Sequence, residues 1–206
     1  MKKNIVITGG LGYIGTELCK LYSGVSWNNR ITVIDNRFIS ERVNQVRNWN
    51  MEFVHGDILD KELIKKYCKN ADVVHHLAGI TDVPRTKSET TEEKDKIIKL
   101  SAKEGTQNIL DVISDKCKII FPSTHVVFEG IDKVKNNISE SEELKPLLSY
   151  SSSKAINEEQ LKSSKKNYVI LRLGSVYGYS TDTTRIDIMP NLFSRIASQD
   201  GTIKLF

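Results

Sequence analysis

A glycine-rich turn between a short apolar run and an amphipathic segment restricts the possible folds of this chain more than any other feature. The stretch "ITGGLGYIG" at residues 7–15 contains Gly10-x-Gly12-x-x-Gly15, with Gly9 directly before it. Glycines allow a tight turn and a close approach of the backbone to a pyrophosphate, and Gly15 allows close packing of helix on strand. The amino terminus of the helix offers unpaired N–H groups and a positive dipole end to an anion. The pattern therefore predicts a dinucleotide-binding turn.

Asp35 supplies the second half of this signal. It lies 20 residues beyond Gly15, at the end of the apolar run "RITVID", where an acid accepts hydrogen bonds from the adenosine ribose hydroxyls. A carboxylate at this place repels a 2′-phosphate, so the sequence favours NAD over NADP. Arg37, two residues further on, leaves NADP open as the less favoured cofactor. A structural glycine turn with an incidental aspartate is the alternative to both.

Short β-branched runs alternate with helix-like stretches along the chain. Five of the six runs are continuously apolar and bounded by turns, as expected for strands buried on both faces of a sheet. This alternation is typical of a parallel sheet wrapped on both sides, so the sequence predicts a Rossmann-type doubly wound α/β domain. The predicted strands are 4–8, 30–35, 52–56, 72–78, 118–123 and 168–173, and the predicted helices are 13–23, 60–69, 97–114 and 151–164.

Two polar segments interrupt this alternation, and each follows a predicted strand. They are residues 82–96 and residues 128–149. Ligands of doubly wound sheets bind where loops leave the carboxyl ends of the strands, so both segments are candidate binding loops. Plain surface loops are the alternative.

Composition and charge exclude several other classes of protein. Hydrophobic residues make up 39% of the chain, enough to bury a core, and the net charge of +4 comes without a block of like charges, which argues against a nucleic-acid partner. The three cysteines are far apart, so neither a disulfide nor a metal site is expected and a reducing compartment is favoured. No apolar run reaches about 18 residues, so we expect a cytoplasmic chain without a membrane partner.

The order of the short motifs resembles that of a known family. "TGGLGYIG", "VIDN", "HGDILD", "HLAG", "FPST", "YSSSK" and "LRLGSVYG" follow one another over essentially the whole chain. This order resembles the extended short-chain dehydrogenase/reductase family, the NAD-dependent epimerases and dehydratases that act mainly on nucleotide sugars. The resemblance implies an NAD-dependent nucleotide-sugar epimerase, similar to the UDP-sugar 4-epimerases.

The resemblance also implies a set of site residues. Thr124, Tyr150 and Lys154 fall at the catalytic positions, and Thr81, Thr124, His125 and Ser175 fall at substrate positions. The implied cofactor-binding residues are Gly9, Gly12, Tyr13, Ile14, Gly15, Asp35, Asn36, Asp57, Ile58, Leu77, Ala78 and Gly79, together with Tyr150 and Lys154. No residue is expected to bind a metal, since His75 and His76 point to opposite faces of a strand.

Tyr150 and Lys154 lie four residues apart, one turn along the same face of the predicted helix 151–164. Tyrosines and lysines are common enough in this chain that the spacing alone is weak evidence for a catalytic pair. The motifs around the pair are what favour a catalytic role. A free tyrosine has a pKa near ~10, too high for a base at neutral pH. A nearby ammonium and the positive nicotinamide stabilise the phenolate, so we expect them to lower that pKa.

Four positions depart from the family pattern. The Asp-Glu pair that dehydratases carry after the catalytic threonine is replaced by His125 and Val126, which disfavours a sugar 4,6-dehydratase. His125 is a candidate substrate contact, with a structural histidine as the alternative. Ala102 replaces a family asparagine that supports the site, and Ser175 replaces a substrate-binding asparagine of many 4-epimerases.

Full-length relatives continue for about a hundred residues beyond "DGTIKLF" at 200–206, forming a small carboxyl-terminal substrate domain. We therefore expect residues 1–206 to be the NAD-binding domain with the catalytic residues, and about 179–206 to begin a truncated substrate-binding region. The family also implies a homodimer through the helices at 97–114 and 151–164. A sugar or carbonyl reductase or dehydrogenase, and a non-catalytic NAD-binding module, are the alternative functions.

Overall fold

A single six-stranded parallel sheet forms the centre of the protein. The computed structural model describes residues 2–81, 91–181, 185–186 and 188–204. The strand order is β3-β2-β1-β4-β5-β6, with every pair parallel, and this order confirms the predicted doubly wound Rossmann-type sheet. The strands are β1 (Asn4–Thr8), β2 (Arg30–Asp35), β3 (Glu52–His55), β4 (Val73–His76), β5 (Lys118–Thr124) and β6 (Asn167–Leu173).

Helices connect the strands and cover the sheet. They are α1 (Tyr13–Ser23), α2 (Ser40–Asn48), α3 (Lys61–Cys68), α4 (Glu92–Val112), α5 (Ser149–Ser163) and α6 (Met189–Ser198). In the described part of the chain, none of them is both long and apolar enough to cross a membrane.

The helix boundaries correct one sequence prediction. The prediction of a polar loop over 82–96 is wrong for its last part, because Thr91 accepts a hydrogen bond from the Lys94 amide and starts α4 at Glu92. The acidic residues that made this part look like a loop favour the first turn of a helix instead. Residues 82–90 lie outside the described residues.

Alternation along the central strand divides the core into two layers. Ile5 and Ile7 of β1 pack with α1 and α2, whereas Val6 packs in a second cluster with Ile109 of α4 and Leu161 of α5. Successive side chains of a strand point to opposite faces, so both faces of β1 are covered. This double burial accounts for the continuous apolar run of β1.

The sheet edge at β6 is much more open. Leu171 is 44% exposed, and Tyr168 and Val169 are each 37% exposed. The expectation that apolar strands are buried on both faces is therefore wrong for β6. The neighbouring helix α6 contains no buried residue.

Candidate active site

One large cavity lies along the carboxyl ends of the strands. Its volume is about 640 Å³, and it is lined by the glycine turn after β1, the ends of β2, β4, β5 and β6, and the start of α5. The candidate site residues all line it: Gly9, Gly12, Tyr13, Ile14, Gly15, Asp35, Asn36, Asp57, Ile58, Leu77, Ala78, Gly79, Thr81, Thr124, His125, Tyr150, Lys154 and Ser175. The structure thus brings together residues that are up to 166 positions apart, from Gly9 to Ser175.

The glycine turn is built so tightly that no side chain fits at its key positions. Gly9 has a φ of +70°, and a Cβ atom added there would lie 2.6 Å from the Ala78 amide nitrogen. A Cβ atom on Gly15 would lie 2.4 Å from the Gly9 carbonyl oxygen. No side chain caps the amino terminus of α1, and its first turn contains no acidic residue. A backbone cradle and a positive helix end therefore face the cavity, as a pyrophosphate requires.

Asp35 is buried at the end of β2 and holds the turn in place. One carboxylate oxygen accepts a hydrogen bond of 2.9 Å from the Leu11 amide, and the other accepts one of 3.0 Å from the Arg37 amide. The Arg37 Nε atom lies 3.4 Å from the same second oxygen. Asp35 thus orders the glycine turn and carries a neighbouring cation at the ribose end of the cavity.

A second pair of polar residues lies beside Asp35. Asn36 donates a hydrogen bond of 3.0 Å from Nδ2 to Asp57, whose other carboxylate oxygen accepts one of 2.9 Å from the Leu59 amide. Ile58 is buried and packs against Gly105 of α4. This end of the cavity has an apolar wall and a polar rim, a combination suited to an adenine.

Tyr150 and Lys154 lie one turn apart on α5 and both line the cavity. Lys154 is only 8% exposed, and its Nζ atom donates a hydrogen bond of 2.8 Å to the Pro122 carbonyl oxygen. The same atom lies 4.5 Å from the centre of the Phe121 ring and 5.9 Å from the centre of the Tyr150 ring. Thr124 ends β5 nearby and is buried. The three candidate catalytic side chains thus share one wall of the cavity.

Burial dominates the electrostatics of this wall. It lowers the pKa of Lys154 to about 8. It also raises the pKa of the Tyr150 phenol, and the positive charge of Arg185 opposes that increase. In the protein alone the phenol is therefore held protonated, in the opposite direction to the shift expected with a bound nicotinamide.

A buried carboxylate anchors the catalytic helix to the sheet. Glu158 is completely buried, accepts a hydrogen bond of 2.6 Å from Ser123 of β5, and forms an ion pair of 2.7 Å with Arg172 of β6. Although burial alone would raise the pKa of Glu158, its hydrogen bonds with Arg172 and Ser123 hold that pKa below its usual value. Because Glu158 follows Lys154 by four residues, this contact fixes the face of α5 that carries Lys154.

Two charged cavity residues were missed by sequence reasoning. The Glu129 carboxylate accepts hydrogen bonds of 2.8 Å from the Leu147 and Leu148 amides and a further one from the Ser151 hydroxyl, and so holds the start of α5. Arg185 lines the cavity and acts on the Tyr150 phenol. Both belong to long connections where neither periodicity nor a motif marks a position. Only their charge in a loop after a strand could have suggested them.

The candidate substrate residues are less firmly held. Thr81 and Ser175 are exposed at the cavity mouth. His125 is also exposed, and its Nδ1 atom lies 3.2 Å from the Leu173 carbonyl oxygen, which ties it to the end of β6. In the described residues, no group of three or more His, Cys, Asp or Glu side chains could hold a metal ion.

Comparison with known families and curated proteins gives consistent matches. The model of the NAD dependent epimerase/dehydratase family matches residues 5–206. A dTDP-D-glucose 4,6-dehydratase of Dictyostelium discoideum is 30% identical over 85% of this chain and 44% of its own length. A putative UDP-glucose 4-epimerase of Methanocaldococcus jannaschii is 31% identical over 86% of this chain and 57% of its own length. The chain thus spans about half the length of these curated relatives.

Solved structures resemble almost the whole chain. The UDP-N-acetylglucosamine 4-epimerase of Methanobrevibacter ruminantium, in complex with UDP-N-acetylmuramic acid, superposes with a TM-score of 0.75 at 27% identity. The UDP-glucuronic acid 4-epimerase of Bacillus cereus, in complex with NAD, gives a TM-score of 0.75 at 25% identity. The matches cover 97% and 98% of this chain and 64% of each of those proteins.

Proposed function

Because the chain belongs to the NAD-dependent epimerase/dehydratase family, we propose that it binds NAD and serves the epimerisation of a nucleotide sugar. The observation that carries this proposal is the position of Tyr150 and Lys154, one turn apart on α5, in the same cavity as the glycine turn. His125 and Val126 stand where a dehydratase of this family has its acid and base, which favours epimerisation.

The residues around the glycine turn fit NAD. A Cβ atom at Gly9 or Gly15 would meet backbone atoms at less than 3 Å, so the turn is kept open as a backbone cradle. In this proposal the cradle holds the pyrophosphate, Asp35 accepts hydrogen bonds from the adenosine ribose, and Asp57 and Ile58 flank the adenine. When bound, NAD supplies the hydride acceptor and donor and a positively charged ring beside Tyr150.

Tyr150 is the proposed acid and base. It takes the proton of a sugar hydroxyl when hydride leaves the same carbon, and returns that proton once the keto-sugar has turned and received hydride on its other face. Net redox is zero, so the dinucleotide leaves the reaction unchanged. Burial keeps the pKa of Tyr150 raised in the protein alone, so the phenol becomes a base only when positive charge is added to the cavity.

Lys154 and Thr124 are the proposed partners of Tyr150. The Lys154 ammonium is already held by the Pro122 carbonyl and lies over the Phe121 ring, so it reaches the site in a fixed position. It contributes positive charge near the phenol and a donor for a ribose hydroxyl. Thr124 lies on the same wall and positions the sugar hydroxyl in line with the phenol.

The substrate side is proposed from the relatives and from the cavity. Proteins similar to this chain include 4-epimerases that act on UDP sugars, and we assign this chain the same class of substrate, bound near Thr81, His125 and Ser175. Residues from about 179 onward would begin the region that selects the nucleotide. The proposed homodimer would use α4 and α5, where Ile97 and Leu100 are more than half exposed, whereas Leu161 is buried in the core.

The test is a comparison of wild type with Tyr150→Phe. The protein is loaded with NAD and incubated with UDP-glucose or UDP-galactose, and epimer formation and NADH absorbance are both recorded. Loss of the phenol should lower the rate of epimerisation by about 10²- to 10⁴-fold, while NAD binding measured by calorimetry stays within a factor of about two.

Three outcomes distinguish the candidate functions. Epimer without accumulation of NADH supports the proposal. NADH formed in proportion to product would indicate a dehydrogenase. Tight NAD binding without turnover of either sugar would favour a non-catalytic binding module, and failure to bind NAD would overturn the cofactor assignment as well.

A further inference from the structure

A chain of buried polar side chains crosses the core beneath the cavity. Asn157 of α5 donates a hydrogen bond of 2.9 Å to the Thr106 hydroxyl of α4, and Thr106 lies 3.0 Å from the Nε2 atom of His76 on β4. The Nδ1 atom of His76 lies 2.9 Å from the Thr8 hydroxyl on β1. None of these four residues is more than 4% exposed. Polar groups buried to this degree need hydrogen-bond partners, so this chain of hydrogen bonds fixes the positions of α4, α5, β1 and β4 relative to one another.

This chain of hydrogen bonds contacts both the proposed cofactor-binding part and the proposed catalytic part of the cavity. At one end, the Thr8 hydroxyl accepts a hydrogen bond of 3.3 Å from the Ala78 amide, in the segment that lines the cavity after β4. In the middle, the His76 ring packs 5.7 Å from the Phe121 ring, over which the Lys154 ammonium lies. A change in the position of His76 therefore reaches Lys154 through one aromatic ring.

Asn157 compensates for a departure in the sequence. Ala102 of α4 lacks the side-chain amide that the family resemblance places at this position. The amide of Asn157 reaches the same turn of α4, where it donates a hydrogen bond of 2.9 Å to the Ala102 backbone carbonyl oxygen. We propose that Asn157 is a positioning residue for the Tyr150–Lys154 pair. From the helix that carries the pair, it supplies the amide contact between α4 and α5 and holds the Thr106–His76–Thr8 chain in one hydrogen-bond direction.

The direction follows from the donors at the two threonines. The Thr106 hydroxyl accepts from the Asn157 amide at 2.9 Å, and the Thr8 hydroxyl accepts from the Ala78 amide at 3.3 Å. Accepting a hydrogen bond strengthens a hydroxyl as a donor, so both hydroxyls compete to donate to His76, and the shorter contact favours donation from Thr106 to Nε2. Burial lowers the pKa of His76 to about 3, so the ring is neutral and has one proton. That proton then lies on Nδ1 and points to Thr8, and without Asn157 the opposite arrangement becomes available.

The expected change in kcat rests on the proposed function. The hydrogen-bond direction through His76 does not, and it is tested separately. Asn157→Ala is compared with wild type and with Gln160→Ala. Gln160 is the matched control because it also joins α5 to α4, donating a hydrogen bond of 2.9 Å to the Lys103 carbonyl oxygen. It accepts one of 3.1 Å from Asn157, but it does not contact Thr106 or His76, so its removal leaves the Asn157–Thr106 contact in place. The first measurement is the tautomer of His76, read from the ¹⁵N chemical shifts of its ring in the NAD-loaded protein.

Wild type and Gln160→Ala should show the Nδ1–H tautomer, and Asn157→Ala should show a mixture of both. The second measurement is turnover of UDP-glucose or UDP-galactose. Asn157→Ala should lower kcat about tenfold with KM changed less than about twofold, and Gln160→Ala should change neither. Adding Ala102→Asn to Asn157→Ala returns an amide to the same space and should restore most of kcat.

Several results would overturn the proposal. One is an Nε2–H tautomer in wild type, and another is an unchanged tautomer and kcat in Asn157→Ala. If Asn157→Ala and Gln160→Ala lose equal activity and equal thermal stability, both amides only join the helices. If neither sugar is turned over by wild type, the tautomer comparison still decides the structural part, and the proposed function alone fails.

Discussion

The centre of the sheet, at β1, and its edge at β6 are followed by the same residue type, glycine, in opposite surroundings. At the dinucleotide turn, a Cβ atom on Gly9 or Gly15 would meet backbone atoms at 2.6 and 2.4 Å. Beyond β6, a Cβ atom on Gly174 or Gly178 would meet nothing within 4 Å. The strands differ in the same way, since β1 is buried along four of its five residues and β6 has four exposed residues out of seven.

This difference shows which part of the site is shaped by close packing and which is not. On the dinucleotide side, crowding leaves one arrangement of the backbone, and short motifs are enough to specify it. On the β6 side, the cavity residues are held mainly by single polar contacts to the better packed half. Sequence resemblance is accordingly stronger for the proposed cofactor residues than for the proposed substrate residues.

Removing Glu158 should have the largest effect, because it breaks the buried ion pair that joins α5 to β6. Glu158→Ala leaves Arg172, whose side chain is 14% exposed, without its ion-pair partner. We expect a loss of about 3–5 kcal/mol in the free energy of unfolding. Urea unfolding measures the change. Lys162→Ala is the control, since Lys162 pairs with the same carboxylate at 3.4 Å from the surface and should cost less than about 1 kcal/mol.

Equal losses of unfolding free energy in Glu158→Ala and Lys162→Ala would contradict this contrast between the glycine turn and the β6 edge. They would mean that the β6 side is held by more than this ion pair.

Gly15→Ala should have the next largest effect. The added methyl group collides with the Gly9 carbonyl at 2.4 Å, and overpacking of this kind costs about 1–3 kcal/mol. NAD binding measured by calorimetry should weaken as well, because the turn must shift. Gly174→Ala tests the other side, where the free energy of unfolding should change by no more than about 0.5 kcal/mol. A larger loss at Gly174 would contradict the description of that side as open.

The pH dependence of Lys154 should give an effect no larger than that of Gly15→Ala. Its pKa is about 8 in the folded protein, against 10.5 for an ordinary lysine. Between these values the unfolded chain binds more protons, so stability should rise as pH increases from about 8 to about 10.5. Relative to Lys154→Met, the ligand-free wild type should gain about 1–3 kcal/mol over that interval. The buried thiols, whose pKa values are raised to about 11 or 12, cancel in the difference. A flat difference would show that the ammonium is solvated.

The fold was predictable because its signals are local. Six apolar runs, the glycine turn and Asp35 identified all six strands and the dinucleotide edge. The helix α2 was missed because only Val43 and Val46 are buried in an otherwise polar segment. The start of α4 was missed because its acidic first turn resembles a loop. The helix α6 was missed as well. None of its residues is buried, so no core-facing pattern of apolar residues was needed to form it.

The candidate site was predictable where a short motif marks the position of each residue. The spacing of Tyr150 and Lys154 and the position of Thr124 placed all three on the wall of one cavity. The contacts of Asn157 could not be predicted, because its partners Ala102 and Thr106 lie about fifty positions away and depend on how α4 and α5 pack. The roles of Glu129 and Arg185 likewise depend on the path of long connections.

Tyr13 belongs to both sides of the molecule. It stands in the glycine turn, its hydroxyl donates a hydrogen bond of 2.5 Å to the Gly178 carbonyl oxygen, and Asn191 donates one of 3.1 Å to that hydroxyl. Any ligand at the turn that shifts this contact changes the affinity for a ligand held beside Gly178 and Asn191. Thermodynamic reciprocity then requires the second ligand to change the affinity of the first by the same factor.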